Sequence, residues 1–147
     1  MLLIAVALAA GCGSSGGSSS VSKADFVSKA NAICTKVNKQ IASLPKINTA
    51  QDLLSTGPKE LTDAGQGIAK LKALQVPDSI KSQVSQWISA LEQESAISNK
   101  LISAFKNKNA QELTQAEAAG KTSQAQDHSR AVALGLTACA KQVQPTR

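Results

Sequence analysis

Residues 80–105 read IKSQVSQWISALEQESAISNKLISAF, and the spacing of the apolar side chains in this stretch decides the fold class. Ile80, Val84, Trp87, Leu91, Ser98, Leu101 and Phe105 recur at steps of three, four or seven, which places them near one face of an α-helix. Ile88 and Ile102 widen that face. A strand would instead alternate at every second residue. Residues 92–98 are poor in large apolar groups, so the stripe thins in the middle. Val76-Pro77-Asp78 forms a turn ahead of the helix, with Asp78 as the expected N-cap, and Asn107-Lys108-Asn109 ends it.

Three further helices follow from caps and periodicity. Ser22 is placed to cap the first, with Asp25 three residues on, and Val21 and Phe26 hold the staple positions around that cap. Phe26, Ala30, Ile33, Val37, Ile41 and Leu44 continue its apolar stripe, with Cys34 beside it, until Pro45. The second helix opens near Thr49, with Asp52 at the same offset, and carries Leu61, Ala64, Ile68 and Leu71 on one face. Pro58 removes a backbone donor there, so this helix is expected to kink or to restart. The last helix opens at Asn109 with Glu112. Only Leu113 is large in its first half, and Gly120 weakens it there. Val132, Leu136, Cys139 and Val143 form a second-half stripe, with Leu134 to one side, up to Gln144-Pro145. Long helices with short connections predict an all-α, up-down antiparallel four-helix bundle, with the second helix kinked near Pro58.

The bundle occupies residues 21–147, and what precedes it is of another kind. MLLIAVALAA is an unbroken apolar run closed by Ala9-Ala10-Gly11-Cys12. It is too short for a bilayer span, which needs roughly 20 residues, and has the length of the apolar region of an export signal. Small residues ending on a cysteine after such a run resemble the lipobox of bacterial lipoproteins. That resemblance makes residues 1–11 a signal peptide and Cys12 the lipidated residue. Met1 runs directly into Leu2 without the Lys or Arg that normally opens a signal, which fits a weak signal or a start a few codons upstream. Residues 13–20 are only Gly and Ser, a soft tether. The expected location is the outer face of the cell membrane, held through the lipid.

With Cys12 assigned, Cys34 and Cys139 remain. Outside the cytoplasm such a pair is most simply a disulfide, and the alternative is two separate buried thiols. The chain carries 16 Lys and Arg against 10 Asp and Glu, a net charge of +6. The lysines are scattered from Lys23 to Lys141, and only Arg130 and Arg147 are arginine. A nucleic-acid reader shows a dense basic face with Arg or aromatics for stacking, and the aromatics here are Phe26, Trp87 and Phe105 alone. The basic surface therefore suits an anionic membrane or wall, not nucleic acid.

Three local patterns together resemble the small exported α-helical lipoproteins of actinobacteria. One is Ser22-Lys23-Ala24-Asp25-Phe26 leading to Ala32-Ile33-Cys34 and Asn38. The second is Leu134-Gly135-Leu136-Thr137-Ala138-Cys139. The third is Leu71-Lys72-Ala73-Leu74-Gln75-Val76-Pro77 with Trp87 behind it. The resemblance implies paired cysteines and a place beyond the cytoplasm, and it implies no activity.

Catalytic spacings are missing. His128 is the one histidine, so paired Glu-x-x-His ligands for a di-iron centre cannot be assembled. CxxCH, HExxH and a Gly-rich phosphate loop are also absent from the sequence, and the one match to GxSxG, Gly13-Ser14-Ser15-Gly16-Gly17, lies in the Gly/Ser tether. Neither a metal nor a cofactor is expected. Asp127, His128 and Arg130 are the weak candidates for a polar pocket between helices, although Asp127–Arg130 reads more simply as a surface ion pair. Trp87 reads as core. Glu92 and Glu94 are two apart and diverge. The expected function is binding, not catalysis: a membrane-anchored extracytoplasmic domain that meets an envelope protein, a wall component or a small ligand. The competing reading is an envelope enzyme or a metal or cofactor carrier built on His128. The contact surface is expected on exposed helix faces or along residues 113–126, where weak packing signals a groove or a mobile segment.

Overall fold

The computed structural model describes residues 21–141, and among them all regular structure is helical. Four α-helices follow one another: α1 (Lys23–Ala42), α2 (Ala50–Lys72), α3 (Lys81–Lys106) and α4 (Ala110–Leu134). The leader, Cys12 and the Gly/Ser tether lie outside the described residues, as do Val143, Gln144 and Pro145. No helix among the described residues is long and apolar enough to cross a membrane.

Three helix starts are fixed by the expected side chains. Ser22 Oγ accepts from the Asp25 N–H at 3.1 Å. At α2 the box is reciprocal: Thr49 Oγ1 accepts from the Asp52 N–H at 3.1 Å, and Asp52 Oδ2 accepts from the Thr49 N–H at 2.9 Å. Asn109 Oδ1 accepts from the Glu112 N–H at 3.1 Å. Each bond satisfies a donor that a helix N-terminus otherwise leaves unpaired. The fourth start differs from expectation. Asp78 caps nothing; residues Asp78–Ile80 form a single 3-10 turn, and α3 begins without a side-chain cap.

Pro58 lies inside α2, and the helix runs through it instead of restarting. The lost donor leaves the Leu54 carbonyl unmatched within the helix, while the Thr62 hydroxyl donates to the Pro58 carbonyl at 2.9 Å. Around it, Thr56 and Gly57 are buried. At Gly67 the backbone of α2 comes so close to α1 that a Cβ would stand 2.6 Å from Val37 Cγ2.

The last helix is shorter than its sequence suggested. It stops at Leu134, because Gly135 takes the left-handed conformation at φ 82°. The Gly135 N–H donates to the Val132 carbonyl at 2.9 Å, and the Leu136 N–H donates to the Ala131 carbonyl at 2.8 Å. This is the Schellman closure that glycine permits. It turns the chain, so the expected stripe from Val132 to Cys139 does not exist. Val132 is 55% exposed, whereas Leu136, just beyond the turn, is completely buried.

The segment after α4 is fastened to α1. Cys34 and Cys139 are joined, with Cα atoms 5.0 Å apart and 105 residues of separation. Asn31 Oδ1 accepts from the Ala138 N–H at 2.8 Å, and Asn38 Nδ2 donates to the Ala138 carbonyl at 2.9 Å. The two asparagines are two helical turns apart, so they grip the same crossing strand of chain from one face of α1. The core lies at this end. Trp87, Phe26, Leu134 and Leu136 are its largest fully buried side chains, joined by Ile80, Val84 and Leu71. Burial of each large apolar side chain contributes roughly 1.5–3 kcal/mol.

Candidate functional site

Beyond the core, the four helices leave a groove of about 470 Å³ between them. That size falls within the roughly 300–1,000 Å³ of small-molecule sites. Its walls come from the outer parts of stripes that the core does not use: Val37 and Ile41 of α1, Leu61 and Ile68 of α2, Leu101 and Ile102 of α3. All six are half-buried, not buried. Cys34, Leu71 and Trp87 belong both to the core and to the groove lining, so the two are continuous.

Three carboxylates line this apolar space: Glu60 of α2, Glu94 of α3 and Asp127 of α4. Asp127 is only 5% exposed, and its Oδ1 has no hydrogen-bond partner. Burial pushes its carboxyl above the ordinary range, while the nearby Trp87 indole N–H and the charges of His128 and Arg130 pull it down. The indole is close enough to act on the carboxyl but closes no hydrogen bond with it. Trp87, wholly buried, also has an unpartnered Nε1. Burial raises the Glu94 carboxyl, and the negative charge of Asp127 raises it further, so the two face the same space. Burial raises Glu60 as well.

The three expected pocket residues are therefore divided. Asp127 lines the groove; His128 and Arg130 do not. His128 Nδ1 lies 3.0 Å from the Ala140 carbonyl and helps to hold the turn after α4. Arg130 is half-exposed and makes no ion pair with Asp127 within 4.0 Å, so the expected surface pair is not formed. Trp87 is core, as read from the sequence, and is also part of the site. Glu92 and Glu94 do diverge: exposed Glu92 pairs with Lys72 at 2.6 Å, and Glu94 turns to the groove. Among residues 113–126 only Gln124 contributes to the groove lining, and α4 is one continuous helix there. Among the described residues, no group of three or more His, Cys, Asp or Glu is placed to hold a metal ion.

Nothing in the apolar pattern of α4 marks Asp127 as buried, because the inner face of this helix carries few large apolar side chains. That face consists of Ala116, Ser123, Asp127, Ala131 and Leu134, mostly small or polar residues. They carry almost no hydrophobic signal, yet their three-, four- and seven-residue spacing is helical. Spacing of small residues, not of apolar ones, was the available clue. No family model, curated protein or solved structure matches this chain.

Proposed function

We propose that this chain is a lipid-anchored domain of the outer face of a cell membrane that acts by binding a small apolar molecule. The observation that carries this reading is the groove of about 470 Å³, in which apolar side chains from several helices stand half-buried around buried Trp87 and Asp127. Half-buried apolar side chains that converge on one concave space form a contiguous apolar surface, the kind that marks a ligand-binding groove. Anchoring rests on the sequence, on Ala9-Ala10-Gly11-Cys12 followed by the Gly/Ser tether. An up-down antiparallel order, with α2 bent at Pro58, belongs to the same proposal. It is supported by the makeup of the core, which takes Phe26 and Ala30 from the start of α1, Leu71 from the end of α2, Val84 from the start of α3 and Leu134 from the end of α4.

The groove is tested with N-phenyl-1-naphthylamine, a neutral dye that brightens on leaving water. The full chain carrying Cys12→Ser, oxidised, is expected to bind it saturably. Ala64→Phe combined with Ser98→Phe, which adds bulk at two lining positions, is expected to abolish the signal while helicity by circular dichroism is retained. Unchanged binding in a folded double variant places the dye elsewhere and overturns the proposal. Mass spectrometry of the exported protein tests the anchor, and an unmodified Cys12 would end that part.

A further inference from the structure

The groove is lined mostly by apolar side chains, and its charged content is acidic. The whole chain is basic, with 16 cations against 10 acids, yet three acids and a single cation, Lys141, line the groove. Three of the ten acids thus line this apolar groove against one of the sixteen cations, opposite to the trend of the composition. A cluster of acids alone would mean little. Here one member, Asp127, is 95% removed from solvent with an oxygen that nothing in the protein satisfies.

An ionised carboxylate only accepts hydrogen bonds. Two unpartnered donors stand near it, the indole N–H of Trp87 and the hydroxyl of Ser123 one turn back on α4, and each supplies at most a single bond. Asp127 and Glu94 together therefore hold an excess of acceptors and of negative charge. Leaving a buried acceptor unpaired is unfavourable, the more so when it is charged. A ligand that brings donors and positive charge relieves this cost. One that brings a carboxylate or phosphate adds a third negative charge to the same site.

We infer that the groove takes an amphiphile with a cationic ammonium head and an alkyl chain, the head seated between Asp127 and Glu94 and the chain lying along Ile68, Leu101 and Ile102. An ammonium has three donors and no acceptor, which matches the surplus on the protein side. Glu60, also in the lining, adds to the negative field across the groove from α2. This inference rests on the proposed binding function and goes beyond it by fixing the chemistry of the ligand.

The test uses three probes of equal chain length: decylammonium, decanoate and decanol, each below self-association. They are titrated into the oxidised full chain carrying Cys12→Ser, followed by the fluorescence of Trp87, the sole tryptophan, and by calorimetry. Decylammonium is expected to bind at least about tenfold more tightly than decanol, the ratio that a single charge-assisted hydrogen bond supplies. Decanoate is expected to bind most weakly. Asp127→Asn and Glu94→Gln are each expected to weaken decylammonium more than decanol, so that the preference for the ammonium shrinks. Circular dichroism and urea midpoints of each variant show that the bundle still folds. Decanol bound as well as decylammonium, or a preference that survives both substitutions, overturns the cationic ligand and leaves the apolar groove standing. Absence of heat and of fluorescence change with all three probes overturns both.

Discussion

The two halves of this bundle use the same amphipathic code and reach opposite results. Where α1 begins, Phe26, Trp87, Leu134 and Leu136 are sealed, and the turn after α4 is held by a disulfide, Asn31, Asn38 and His128. In the other half Ile41, Leu61, Leu101 and Ile102 occupy equivalent stripe positions and remain half-buried around a groove. Periodicity says which face of a helix turns inward. It does not say whether the inward faces meet. In the first half the closure is covalent and hydrogen-bonded, so stability concentrates there. The second half is free to carry acids and space that a packed core would exclude.

Several changes would break or sharpen this contrast. The largest effect is expected from Cys34→Ser with Cys139→Ser. Releasing a link across 105 residues removes up to about 4–5 kcal/mol in the chain-entropy account, read from urea unfolding midpoints. Next comes a matched pair. Leu136→Ala, in the sealed half, is expected to cost about 2–5 kcal/mol. Leu101→Ala, at the half-buried groove wall, is expected to cost well under about 2 kcal/mol, since less apolar area is exposed to change. Equal costs would erase the distinction between the halves. Gly135→Ala forces a side chain into the left-handed region at φ 82° and is expected to destabilise by about 1–2 kcal/mol. Gly65→Ala is expected to stabilise by about 0.5–1 kcal/mol, because nothing lies within 4 Å of the added Cβ and alanine favours the helix.

The smallest difference is expected in pH dependence, where the groove and the helix caps oppose one another. Asp127 and Glu94 have raised carboxyl pKa values when folded, from burial and, for Glu94, the charge of Asp127. Their contribution to stability is full below the unfolded carboxyl range and is lost as pH rises through the raised folded values. The exposed caps behave oppositely. Hydrogen bonds from Ser22 and Thr49 hold Asp25 and Asp52 below the ordinary value. Their contribution is present above the unfolded range and is lost as pH falls through the lowered folded values. Urea midpoints from about pH 3 to about pH 7, a span that brackets ordinary carboxyl titration, should show Asp127→Asn flattening the loss on the rising side. Asp25→Asn with Asp52→Asn should flatten the loss on the acid side.

What was legible in the sequence was local. Ser22, Thr49 and Asn109 announced three helix starts because a cap acts within three residues. The cysteine pair was readable from parity, once Cys12 is set aside. Asp78 misled because a turn before a helix can close by a 3-10 bond without any side chain. Gly135 misled because Val132, Leu136 and Cys139 keep helical spacing across it. A glycine just past a leucine also signals a helix end, and the burial of Leu136 after the turn decides between the two. The groove itself was illegible. It depends on how far apart four helices stand, a property of no single stripe, and its key acid lies on a face of α4 that looks polar in sequence.

Cys34 lies twelve residues into the described chain beyond Ser22, and Cys139 lies near its other end, so the bond closes nearly all of the domain into a covalent ring. A ring has no single point of failure. One protease cut at any peptide bond between the two cysteines opens the ring but releases no fragment, and both new pieces stay joined to the N-terminal segment. Two cuts are needed to shed any part of the helices that lies between the two cysteines, or one cut together with reduction.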